Sequence, residues 1–202
     1  MSDPDADAAD AAGSADAADA SEPGDAADTD NADGSGLPGR VRRAVADHDA
    51  VADEGPEGTL AVTSTPFDAA VAVAEAADGR IEFDVTVTVP TLSAVVEGEV
   101  ADVVEDGWLD TFERRIDAIG DVTAAGHDLA PTVERRGDEV TVAESVRDLN
   151  ERRGLNDAVA VVDFVEGTYV QGVIPGYEYG EPVTGLVSRA RATGGDEGSG
   201  PF

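Results

Sequence analysis

Residues 80–90 read RIEFDVTVTVP. Ile81, Phe83, Val85, Val87 and Val89 alternate without a break with Glu82, Asp84, Thr86 and Thr88. Successive side chains of a strand point to opposite faces, so this period of two predicts a strand with one apolar and one polar face. Such a strand fits an antiparallel sheet that has a core on one side and water on the other. Asp78-Gly79 just before it is a hairpin signal, which folds the chain back onto FDAAVAVAEA (67–76) as a second strand. A turn at Thr65-Pro66 leads back again to GTLAVTS (58–64).

Further out the period changes to that of helices. LPGRVRRAVADHDAVA (37–52) has Pro38 near its start and brings Val41, Ala44, Val45, His48 and Ala52 onto one face. Beyond the central strand, a helix is clearest from Glu105 to Ile119, with a pattern reaching back to Glu99. Its stripe is Val100, Val104, Trp108, Phe112, Ile116 and Ile119. PTVERRGDEVTVAESV (131–146) reads as a hairpin turning at Arg136-Gly137-Asp138. NDAVAVVDFVEGTYVQGVI (156–174) reads as a long apolar helix with Asn156 as N-cap and a stop at Pro175-Gly176. A short helix is expected over 182–191. The fold class is therefore α+β: an antiparallel sheet packed against helices, in the order α-β-β-β-α-β-β-α plus a short C-terminal helix.

The 202 residues fit one domain with appendages. Residues 1–36 hold 11 acidic and no basic residues among Ala, Gly and Ser, which predicts an acidic disordered tail. Residues 37–192 form the expected single domain, and 193–202 a second short tail. Within the first tail, DTDNADGSG (28–36) matches a calcium loop only at Asp28 and Asp30. The net charge is −31, all 13 basic residues are Arg, and 27 Val stand against 8 Leu and 4 Ile. In dilute buffer such charge repels itself, whereas at about 1 M salt the Debye length falls to about 3 Å. Excluded salt also strengthens apolar burial, which suits a core of small hydrophobes. The expectation is a halophilic cytoplasmic protein, with no signal peptide, no membrane span and no affinity for nucleic acid.

The sequence lacks the means for several chemistries. Without Lys there is no P-loop lysine and no Schiff base, and without Cys there is no thiolate site. No G-x-S-x-G occurs. Each of the two histidines precedes an aspartate, at His48-Asp49 and His127-Asp128, as in HD phosphohydrolases, but two histidines cannot supply that ligand set. A shared metal site would need both to converge with carboxylates. No catalytic residue, metal or cofactor is expected, and a carboxylate- or His-based hydrolase is the most remote reading.

Two groups remain as candidates. All three tyrosines, Tyr169, Tyr177 and Tyr179, lie within EGTYVQGVIPGYEYGEPV (166–183). With Trp108 they could form a structural seam, a partner-binding groove or a small-ligand pocket. Nine of the 13 arginines cluster, among them Arg114 and Arg115, either as ion pairs or as an anion pocket.

LPGRVRRA, DVTVTVPTLSAVVEGEV, VEDGWLDTFERRI and DFVEGTYVQGVIPGYEY together resemble a haloarchaeal family of unknown function, domain of unknown function 5813. The resemblance covers most of 37–191 and implies no activity, cofactor or catalytic residue. The element order is also similar to that of the type III secretion chaperone fold, which implies a protein-binding role. The leading expectation is thus a non-enzymatic protein-interaction module, chaperone- or adaptor-like, with an unidentified protein partner or a second copy of itself docking at Trp108, Tyr169, Tyr177 and Tyr179. The alternative is a small-anion-binding or sensory domain using Arg114 and Arg115.

Overall fold

The structure, a computed structural model, describes residues 36–195. The expected tails lie outside the described residues, except Gly36 and residues 193–195, which carry the end of the last helix. The calcium-loop fragment at 28–36 lies there too, apart from Gly36.

Six strands form one sheet: β1 (Val51–Ala52), β2 (Thr59–Val62), β3 (Asp68–Glu75), β4 (Ile81–Pro90), β5 (Thr132–Arg136) and β6 (Glu139–Asp148). Their order across the sheet is β1-β2-β3-β4-β6-β5, and every pairing is antiparallel. The helices are α1 (Gly39–Ala46), a single turn α2 (Leu92–Val95), α3 (Asp102–Ile116), α4 (Glu151–Gln171) and α5 (Val183–Gly195), with a 3₁₀ turn at Ile119–Val122. The α+β class and the expected element order both hold, with β1 and α2 as additions.

The alternation in β4 decides the layering. Ile81, Phe83, Val85, Val87 and Val89 are buried beneath α4, while Asp84 and Thr86 on the opposite side are exposed. On that outer face Arg147 of β6 pairs with Glu82 of β4 and holds its carboxyl below the ordinary glutamate range. Thr88 and Thr141 bring their hydroxyls within 3.4 Å across the same two strands. These cross-strand polar pairs let the outer face stay wet without leaving acidic charge unopposed.

Several boundaries differ from those the sequence predicts: α3 runs from Asp102 and ends at Ile116, before the 3₁₀ turn, and α4 ends at Gln171. Helix α1 stops at Ala46, because Val51 is buried at the sheet edge and pairs with Val62. The chain leaves the helix through His48, whose Nδ1 accepts from the Ala50 amide at 3.2 Å. Helix α4 starts five residues before Asn156, capped by Asn150, whose side chain accepts from the Arg153 amide at 2.9 Å. Helix α5 runs four residues past the expected end at 191.

Buried Glu105 of α3 ties two further elements together. Its Oε2 accepts from the Ser93 amide at 2.9 Å and from the Ser93 hydroxyl, and Arg135 of β5 lies 3.6 Å from its other oxygen. None of the described helices is long and apolar enough to cross a membrane.

Candidate functional site

The aromatic group separates into a buried and an accessible part. Tyr169 is 1% exposed and Trp108 6%. The Tyr169 ring stands edge-on to Phe67 at 5.0 Å and to Trp108 at 5.6 Å, while Trp108 stacks on Phe112 at 5.5 Å. Helical spacing from Val165 already puts Tyr169 on the buried face of α4, and edge-to-face contact is the arrangement aromatic quadrupoles favour. Burial drives the Tyr169 hydroxyl well above the ordinary tyrosine range, and that hydroxyl has no hydrogen-bond partner. Gly172 lets the end of α4 approach Trp108: a Cβ there would sit 2.9 Å from the indole Nε1.

Tyr179 acts as a staple. Its hydroxyl donates to the Ile174 carbonyl at 3.1 Å and accepts from the Ile174 amide at 2.9 Å. Around it, residues 178–180 lie extended against α2: Glu97 N–H donates to Glu178 O at 2.8 Å and Gly180 N–H to Val95 O at 2.8 Å. Tyr177 is half-buried and lines the wall of a groove of about 430 Å³ with Val173, Ile174, Val187 and Arg191. A second groove of about 360 Å³ shares Val173 and Ile174 with the first. It continues along Val103, the Trp108 edge and Arg115. Val103 is 77% exposed, more than either of the other exposed large hydrophobics among the described residues.

The arginine clusters do not converge. Arg135 meets Glu105, Arg136 meets Glu134, Arg152 meets Asp47 and Arg153 meets Asp148. Neighbours in sequence thus serve different acids, as expected where acid outnumbers base. Arg114 turns back along its own helix, to Asp110 O at 3.2 Å and Thr111 Oγ1 at 3.3 Å. Among the described residues Arg43, Arg114, Arg115 and Arg191 have no acidic partner, and Arg115 and Arg191 each stand on one of the two apolar grooves.

A third arrangement was not singled out from the sequence. His127, in the loop before β5, places Nε2 3.2 Å from Asp157 Oδ2 on α4 and 3.8 Å from Asp148 Oδ2 at the end of β6. The two carboxylates are 1% and 3% exposed, and the imidazole 17%. Asp148 accepts from both Nε and Nη2 of Arg153 at 2.7 Å, which holds its carboxyl below the ordinary aspartate range. Asp157 Oδ1 accepts from the Ala124 amide at 2.8 Å and Oδ2 from the Ala125 amide at 3.3 Å. The loop is further tied by Thr123, whose hydroxyl accepts from His127 N–H at 3.1 Å. Above His127 lies a polar groove of about 440 Å³ bearing Asp117, Asp121 and Asp128. His48 has no place in this group; its partner is Ala50.

The sequence showed His127 beside Asp128, but the carboxylates that meet the imidazole are Asp148 and Asp157, which only the docking of α4 on β6 brings in. Asp157 offered one signal, an acid at a position where the apolar stripe of a helix needs a hydrophobe. No curated protein and no solved structure matches the chain. The model of one family does, over residues 46–189, a span that holds the histidine cluster and both apolar grooves apart from Arg191. The chain belongs to that family, DUF5813, a family of unknown function.

Proposed function

We propose that this protein is a non-enzymatic docking module for a partner protein segment that carries apolar side chains interleaved with carboxylates. The observation that carries this reading is the joined pair of apolar grooves at Val103, Val173, Ile174 and Tyr177, with Arg115 and Arg191 standing unpaired beside them. Two guanidinium groups at an apolar edge, without an acid of the chain's own beside them, favour an acidic occupant. Exposed Val103 adds apolar area of the kind that interfaces bury at their centre. Burial of Trp108 and Tyr169 gives them a supporting role, with Tyr177, Val103 and Ile174 as the contacting surface. A second copy of the chain, acidic as it is, can supply the segment as well as another protein can. The charge balance and absence of Lys support work in the molar salt of a haloarchaeal cytoplasm, where apolar docking is strengthened and steering by charge is screened.

The test is affinity capture in molar KCl with the full chain and with two surface variants, Val103→Asp and Arg115→Glu, each checked for an unchanged near-ultraviolet spectrum. The reading predicts specific proteins, or the chain itself, retained by the wild type and lost by both variants. Retention by both variants, or no specific protein retained by the wild type, would remove it.

A further inference from the structure

We propose that His127 Nε2, Asp157 Oδ2 and Asp148 Oδ2 form a buried binding site for one divalent transition-metal ion, beside the groove that bears Asp117, Asp121 and Asp128. This goes beyond the docking function and rests on none of the residues used for it. The three donor atoms come from a loop, a helix and a strand, and all lie within 4.8 Å of one another. Separations of 3.2 and 3.8 Å from the imidazole nitrogen to the two oxygens suit ligands sharing a metal at bonds of about 2.0–2.2 Å.

His127 Nε2 is shielded from solvent and makes no hydrogen bond, although a carboxylate oxygen lies only 3.2 Å away. A cation lying between the two carboxylates would give this nitrogen the partner it lacks. The carboxylates also keep capacity. Asp148 Oδ2 accepts only Arg153 Nε, and Asp157 Oδ2 only the long bond from Ala125. A carboxylate oxygen has two lone-pair directions, so each can add a metal without releasing its present partner. Those present partners are what orients the ligands: Arg153 and the Asn150 amide hold Asp148, and the Ala124 and Ala125 amides hold Asp157.

Charge points the same way. Two buried carboxylates carry two negative charges and Arg153 returns one, so the cluster needs further positive charge close by. A divalent metal ion between the two aspartates would supply it. One imidazole and two carboxylates suit zinc, manganese or cobalt better than calcium or magnesium, which take oxygen ligands. Three protein ligands leave one position of a tetrahedral site for a further ligand.

The experiment uses the full chain in molar KCl near neutral pH, with zinc chloride as the probe. Equilibrium dialysis of the wild type should show one zinc ion bound per chain. Affinity should fall by more than about 100-fold in His127→Gln and be unchanged in His48→Gln, because loss of a direct ligand costs more than loss of an orienting partner. Imidazole-nitrogen NMR on the wild type gives a reading that needs no variant: zinc should move the Nε2 resonance of one of the two histidines only, that of His127. Absence of saturable uptake, or uptake retained in His127→Gln, would overturn the site and leave the cluster as a histidine packed between two aspartates. A zinc shift at His48 alone would overturn it equally.

Discussion

A Cβ placed on Gly154 would lie 2.4 Å from Phe83 Cε2 and 3.0 Å from Asp148 Cβ. Gly154 is the point where the first turns of α4 come down on β4, and Phe83 beneath it is fully buried. Ala is favoured over Gly inside a helix by about 1 kcal/mol. Here that gain is opposed by overpacking against a fully buried ring, which costs typically about 1–3 kcal/mol. Gly154→Ala is expected to lower stability in urea unfolding at molar KCl. Gly167→Ala on the same helix, where a Cβ meets nothing within 4 Å, is expected to raise it. The two substitutions share their helix-propensity term, so opposite signs isolate the contact with Phe83.

The start of α4 separates what the sequence carried from what it did not. Period-two and helical stripes identified β4, α3 and most of α4, because these depend on which residues face one large core. The first turn of α4 was missed since ERRGL contains a glycine and two arginines, and reads as a loop. Its helicity comes from Leu155 and Gly154 packing on the sheet and from the Asn150 cap, which are tertiary facts. An N-cap is worth about 1 kcal/mol. Asn150→Ala should therefore cost about that much in unfolding experiments, whereas Asn156→Ala, exposed in the helix interior, should cost nothing or stabilise slightly, since Ala is the better helix former. The histidine cluster was illegible for a similar reason. Its members are adjacent only through the docking of a loop, a strand and a helix, and no local spacing records that.

Tyr169 gives a test of the seam. Its hydroxyl is buried without a partner, so the phenol contributes packing while its oxygen has lost water for nothing. Tyr169→Phe should leave stability unchanged or raise it by up to about 1 kcal/mol. Tyr169→Ala should cost about 3–5 kcal/mol, as other large core truncations do. Ultraviolet titration adds a separate reading: burial pushes the Tyr169 phenol far up, so it should ionise only as the protein unfolds in alkali. Unfolding free energies for the two variants and the alkaline absorbance step check these outcomes.

Glu144 sits on the covered face of β6, opposite Val85, where its neighbours in the alternation are Val142 and Val146. One carboxylate oxygen accepts from the Ser145 amide at 2.7 Å, and the Ala130 amide also draws the carboxylate toward its charged form. Burial pushes this carboxyl above the ordinary glutamate range. An acid whose pKa is raised on folding binds its proton more tightly in the native state than in the unfolded chain. Stability then falls as pH rises from the ordinary glutamate value through the raised one, and above that the full cost of the buried charge is present. Glu144→Gln keeps a carbonyl oxygen for the Ser145 amide and removes the charge. At neutral pH the variant should melt roughly 1–3 °C higher than wild type, a shift of the size that a fraction of a kcal/mol makes in a domain of this length. The difference should shrink as pH is lowered through the window in which wild-type Glu144 takes up its proton. Thermal melts at matched KCl across that range measure both the sign and the convergence, and a variant that melts lower at neutral pH would mean that the carboxylate's contact with the Ser145 amide outweighs its burial.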